Sequence, residues 1–218
     1  MSVSRTRIPW LTAGFVAVAA AASVWPDGVT ALGYQREAAE AGELWRALTG
    51  QLVHGSPIMA VVDLGAVLFC GAWLERRARG VAASAGAFAL LLVAATVHAT
   101  QPQVLYFEGS SGVAAGLFTA AALQLARTAE SRAARALSLG VVGAAVAKAM
   151  LEQWVGWGAA GLHPTAGIPV LGAAHLAGSA AGLCAVALVA RLPSLRPGAG
   201  SQSPVSSLPT LPPARFAS

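Results

Sequence analysis

Six apolar stretches dominate the sequence: Pro9–Val24, Pro57–Leu74, Val81–His98, Gly109–Ala126, Ala136–Trp157 and Val170–Leu192. Each is close to the roughly 17–25 residues that carry a helix across a bilayer. In lipid every backbone polar group must be paired within the protein, and helices achieve this with no open edge. The expected fold is therefore all-α, a polytopic bundle of six transmembrane helices. Composition agrees, with 56% of the 218 residues apolar and 11% charged, where a soluble domain carries about 25% charged. The formal charge of +5 would suit nucleic acid in a soluble chain. No basic patch with interleaved aromatics is present, so lipid, and not nucleic acid, is the expected partner.

The arginines orient the bundle. If both termini are cytoplasmic, Arg5 and Arg7, the Glu75–Arg79 run, Arg127, Arg132, Arg135, Arg191, Arg196 and Arg215 all fall on the inner side. Only Arg36 and Arg46 then face outward, with Lys148 inside a span. That asymmetry is the usual signature of cytoplasmic loops. Trp10 and Trp73 fall near the inner boundary, Trp25, Trp154 and Trp157 near the outer one, and Trp45 in the first outer loop, as amphipathic rings prefer. The first span also fits a cleaved signal peptide, with arginines before an alanine-rich stretch, and the charge map does not choose between the two.

The membrane domain is expected to occupy residues 1–192. Within it, residues 25–55 form an outer loop in which Leu44, Leu48 and Leu52 recur at helical spacing. They predict a helix lying in the outer interface. Residues 193–218, rich in Pro and Ser, predict a disordered cytoplasmic tail. Cys70 and Cys184 both sit in apolar stretches and read as small packing residues.

Two short motifs carry the chemistry: Gly109-Ser110-Ser111-Gly112 and His175-Leu176-Ala177-Gly178. On this map the fourth and sixth spans are both entered from outside, which puts Ser111 and His175 about one helical turn below the same face. Gly112 and Gly116, like Gly178 and Gly182, are four apart, a spacing that lets helix backbones approach closely in lipid. A serine and a histidine brought together suffice for nucleophilic hydrolysis if an oxyanion is stabilised nearby. Ordinary helix packing with a hydrogen-bonded serine is the competing reading.

Glu43-Leu44-Trp45-Arg46, the Gly-x-Ser-Gly of Gly109–Gly112, and Ala174-His175-x-x-Gly178-x-x-x-Gly182 resemble the rhomboid intramembrane proteases. Trp45 through His54, the Lys148–Gln153 segment, and Pro169-Val170 with Ala174-His175-Leu176 are similar to the rhombosortase branch. The resemblance runs from about Tyr34 to Leu188. It implies Ser111 as nucleophile and His175 as general base with no third acid, in a bacterial inner membrane with the site facing the periplasm. Gly109, Ser110 and Gly112 would contribute backbone to the oxyanion site. The implied substrates are exported proteins whose C-terminal tail carries a Gly-Gly motif, a transmembrane helix and basic residues.

The family commonly carries His-x-x-x-x-His-x-x-x-Asn on the second helix, whereas this chain has His54, Met59 and Asp63. Met59 offers no donor and an ionised Asp63 would repel an oxyanion, whereas a protonated Asp63 would donate to it; a pseudoprotease that binds transmembrane segments without cutting them is the alternative. His54 reads either as a loop anchor or as a compensating donor. Lys148 and Glu152, one turn apart, predict a structural ion pair, with substrate recognition as the other reading. His98 and His163 lack companion ligands and read as interfacial; no metal or nucleotide motif is present, and no cofactor is expected. A small-solute transporter would call for an internal repeat, which the sequence lacks.

Overall fold

The computed structural model describes residues 8–155 and 171–192. His163, residues 193–218 and the outermost arginines of the charge map lie outside the described residues. The elements in chain order are α1 (Trp10–Val24), α2 (Gly28–Leu32), β1 (Tyr34–Gln35), α3 (Arg36–Glu40), α4 (Arg46–Thr49), a 3-10 turn (Gly50–Leu52), α5 (Pro57–Thr100), β2 (Tyr106–Phe107), α6 (Ser111–Thr128), α7 (Arg132–Val155) and α8 (Gly172–Arg191). The protein is a helical membrane bundle. Three described helices, Pro57–Thr100, Arg132–Trp154 and Gly172–Arg191, are long and apolar enough to cross a bilayer, and Trp10–Val24 is apolar but shorter.

The sequence predicts two helices between Pro57 and His98, separated by a charged loop. Both are present as the two arms of α5, and the charged loop is reduced to a break in the helical backbone at Ala78 (φ −148°, ψ 66°). A straight helix of 44 residues would be about 66 Å long. Yet the Gln51 side chain, just before the start of α5, donates to the Leu90 carbonyl at 2.8 Å. The two arms of α5 are therefore antiparallel, and the chain reverses at Ala78.

Glu75 does not belong to a solvated loop. It is 2% exposed, and its carboxylate accepts from Leu11 N–H at 3.1 Å, Thr12 N–H at 2.9 Å and Thr12 Oγ at 3.0 Å. The first N–H groups of a helix have no partner within it, and Glu75 supplies one for α1. Replacing Glu75 with alanine leaves those donors buried and unpaired. The expected cost is about 2–3 kcal/mol, read as a lower unfolding midpoint in detergent; an unchanged midpoint would refute this role.

The interfacial helix expected in the outer loop is divided. Leu44 precedes α4 and Leu52 belongs to the 3-10 turn, while Leu44 and Leu48 point outward. Arg36 shapes this layer. Its guanidinium donates to the carbonyls of Val97 and His98, which the C-terminal end of α5 leaves open, and to those of Gln101 and Val104 just beyond it. β1 pairs antiparallel with β2, Tyr34 opposite Phe107, and Tyr34 Oη lies 3.1 Å from His98 Nδ1. Burial of Tyr34 outweighs the nearby Arg36 charge and raises its phenol pKa above the ordinary value, so the hydroxyl stays protonated. The outer loop is thereby fastened to the segment that leads into α6.

α6 is the central helix and packs against both arms of α5, α7 and α8. Its contact face is built from small residues, Gly112, Ala114, Gly116, Ala120 and Ala121 among them, which explains why backbones can meet there. Less of α7 than of α8 lies inside the bundle. Only 11% of the α7 apolar stretch is buried, against 56% for α8.

Candidate active site

The site begins with a glycine in a backbone conformation that residues with side chains rarely adopt. Gly109 has φ +100°, and a Cβ there would come within 3.2 Å of Asp63 Oδ2 and 3.8 Å of the His54 ring. Its N–H donates to Gly50 O at 3.0 Å and Val53 O at 2.9 Å. These contacts turn the chain sharply between β2 and α6, so that Ser110 becomes the N-cap and Ser111 the first residue of α6.

Ser110 and His54 form one buried cluster. The Ser110 N–H donates to His54 Nε2 at 3.2 Å, and Ser110 Oγ lies at the same distance. An amide can only donate, so Nε2 is the acceptor and the ring hydrogen is on Nδ1. Nδ1 then donates to Ser23 Oγ at 3.2 Å, and that hydroxyl donates to Ala19 O at 2.8 Å. His54 thus ties α1, the outer loop and the start of α6 together. Asp63 Oδ2 is 3.3 Å from Nε2, but with that nitrogen already accepting, the oxygen is left without a hydrogen-bond partner.

Ser111 and His175 occupy a different place. They line a cavity of about 380 Å³ with Lys148, Glu152, Ser179 and an otherwise apolar wall, between the first arm of α5, α6, α7 and α8. That volume lies within the ordinary range for ligand cavities. His54, Met59, Asp63 and Ser110 are not among the residues that line it. A second cleft, of about 310 Å³, lies at the other end of the bundle beside Ile8, Trp10, Glu75 and Arg79. Its carboxylate is already taken up by α1, and it holds no nucleophile.

Close backbone contact brings α6 to α8. A Cβ on Gly178 would stand 1.9 Å from Gly112 O, one on Gly116 2.9 Å from Gly178 O, and one on Gly182 2.4 Å from Gly116 O. At Gly112 it would meet Ala174 O at 3.0 Å. No hydrogen bond joins Ser111 Oγ to His175 among the described residues. Catalytic hydrogen bonds are often long before substrate arrives, so shared lining of the cavity is the informative geometry.

His175 has a partner that sequence reasoning missed. Glu152, 2% exposed, places Oε2 at 2.8 Å from His175 Nδ1, and its other oxygen accepts from Lys148 Nζ. The Lys148–Glu152 pair is therefore present, and it extends to the histidine. α7 and α8 meet closely here, because a Cβ on Gly172 would lie 2.4 Å from both Ala149 O and Gln153 N. Gln153 Oε1 accepts from the Ala173 N–H at 2.8 Å, which steadies the start of α8. An ionisable residue inside an apolar span marks function by default. That signal drew attention to Glu152 but not to the ring it binds.

Chemically, the arrangement offers a hydroxyl on the first residue of a helix, unpaired amides beside it, and an imidazole held by a carboxylate. A family model for the Rhomboid domain matches residues 41–192 of the chain. No curated protein matches it.

Proposed function

The chain belongs to the rhomboid family of intramembrane serine proteases, and from that premise we propose that Ser111 and His175 cleave a transmembrane segment of an exported protein. The reading rests on one observation: both side chains line a single cavity inside the helical bundle. With the arms of α5 counted as two passes and α1 and α6 as one each, the domain has six spans. Arginine placement then puts both termini in the cytoplasm and the site near the periplasmic face of an inner membrane.

In this reaction Ser111 Oγ attacks the peptide carbonyl while its proton passes to His175 Nε2. The first-turn amides of α6, which lack partners within the helix, donate to the developing oxyanion. His175 returns the proton to the leaving amine, and water then hydrolyses the acyl-enzyme, releasing the carboxylic acid and restoring the Ser111 hydroxyl. The motifs shared with rhombosortases point to a tail with a Gly-Gly motif, a membrane helix and basic residues. Glycines suit this site because they unwind a helix at low cost.

Met59 and Asp63 favour a second reading, a pseudoprotease, since the family's usual oxyanion side chains are replaced. The test is a co-expressed reporter bearing a Gly-Gly, transmembrane and basic tail, compared with a Leu-Leu version, alongside fluorophosphonate labelling of Ser111. Cleavage of the Gly-Gly reporter alone, with labelling, supports the protease and its substrate class. Labelling with equal cleavage of both tails overturns the substrate class. Binding of the tails with neither labelling nor cleavage selects the pseudoprotease.

A further inference from the structure

We propose that Glu152 is a third member of the active site, a positioning residue whose carboxylate holds His175 by Nδ1 while Lys148 holds the carboxylate. The proposal rests on the Ser111–His175 reading above and alters it, because that reading works with two residues.

Three features of the geometry carry it. The Glu152 Oε2 to His175 Nδ1 distance is 2.8 Å, and a carboxylate can only accept, so Nδ1 bears the hydrogen. In the neutral ring Nε2 is then the unprotonated nitrogen, as a general base for Ser111 requires. The carboxylate is also enclosed, with 2% of the side chain exposed, so water does not compete for the imidazole. Finally, both oxygens are committed, one to His175 and one to Lys148. That fixes the carboxylate plane as well as its position, whereas a bare ion pair would need only one oxygen.

The proton accounting is simple. The Ser111 Oγ–H bond breaks, and its proton forms a bond to His175 Nε2. Nδ1 keeps its hydrogen throughout and Glu152 remains a carboxylate. The positive imidazolium formed in that step sits against a negative group in an enclosed site, where the attraction is stronger than in water. In a Ser-His-Asp site the same contact is worth about 10⁴ in kcat when the carboxylate becomes an amide, because the wrong tautomer results.

Glutamine at position 152 tests this sharply. It has a single oxygen, which Lys148 takes. Its NH2 group is then turned toward Nδ1, which must accept and push the ring hydrogen onto Nε2. Methionine at position 148 releases that oxygen, allowing the amide carbonyl to face Nδ1 again.

The experiment compares wild type, Glu152→Gln, Lys148→Met and the double variant as purified full-length chains in detergent. It measures reporter cleavage per folded molecule and the rate of fluorophosphonate labelling. Glu152→Gln is expected to lower kcat by about 10²–10⁴ with little change in KM. Lys148→Met is expected to lose about tenfold or less, and the double variant to recover part of the Glu152→Gln loss. Equal losses in Glu152→Gln and Lys148→Met, or a loss confined to KM, would overturn the positioning role and leave a structural ion pair. If Glu152→Gln alone does not fold, the double variant decides: a kcat equal to that of Lys148→Met overturns the role if Glu152→Ala/Lys148→Met is equally active. A wild type that shows neither labelling nor cleavage sinks the parent reading, and this proposal with it. A wild type that cleaves through Ser111 while Glu152→Gln matches it rejects Glu152 alone.

Discussion

Alanine at Ser111 or at His175 is expected to reduce reporter turnover by about 10⁶, and the double substitution to reduce it no further. The argument is one of shared function. Ser111 without a base is a weak nucleophile, and His175 without a hydroxyl has nothing to activate, so losing either removes the whole covalent step. The amides at the start of α6 survive both changes. What remains is the modest acceleration that an oxyanion site and a bound substrate give to water attack. Folding should be untouched, because Ser111 makes no side-chain hydrogen bond among the described residues. His175→Ala does leave Glu152 without its ring partner, but Lys148 still pairs with it. Cleavage rates at matched membrane levels measure the effect. Losses that multiply in the double variant would mean the two residues act in separate steps, and an active Ser111→Ala would remove it as nucleophile.

Gly178→Ala is expected to be the most damaging substitution away from the reacting groups. The added carbon would stand 1.9 Å from Gly112 O, 2.9 Å from its carbonyl carbon and 3.2 Å from Gly116 N. All three are backbone atoms of α6, so no side chain can rotate out of the way. The helices must separate by more than an ångström, at an expected cost of about 3 kcal/mol or more, the upper part of the overpacking range. Separation also moves His175 away from Ser111, and a misplacement of about 1 Å can cost about 10² in rate. Gly86→Ala is the control, since nothing lies within 4 Å of a Cβ there. It should be neutral or stabilising by up to about 1 kcal/mol, because alanine is the better helix former. Thermal unfolding in detergent with parallel cleavage assays separates the two effects. Equal midpoints for Gly178→Ala and Gly86→Ala would show that the α6–α8 contact yields without penalty.

The all-α architecture could be read from the sequence because transmembrane helices announce themselves by length and apolarity. Glycine spacing is similarly open to reading, since close approach of two backbones needs only the absence of side chains at i and i+4. The reversal between the arms of α5 is legible too, because the charged run Glu75–Arg79 separates two apolar stretches of spanning length. Its form is not, since the backbone leaves the helix at Ala78 alone and alanine is the best helix former. Glu75, beside Arg76 and Arg77, reads as a loop charge because its partners in the first turn of α1 lie more than sixty residues earlier. In the outer loop Leu44, Leu48 and Leu52 fit one helical period, whereas the chain there forms the short helix α4 continued by a 3-10 turn. At the site, Lys148 and Glu152 were visible as neighbours on one helix. The bond from Glu152 to His175 joins two helices, and no local pattern encodes it.

The small share of α7 that lies inside the bundle has a consequence for the reaction. The helix whose apolar stretch faces mostly outward also carries the carboxylate bonded to His175. Any outward shift of α7 would lengthen the 2.8 Å contact and leave the imidazole free to turn. The seam between α7 and α8 therefore bears on the alignment of the proposed base as directly as the reacting groups do.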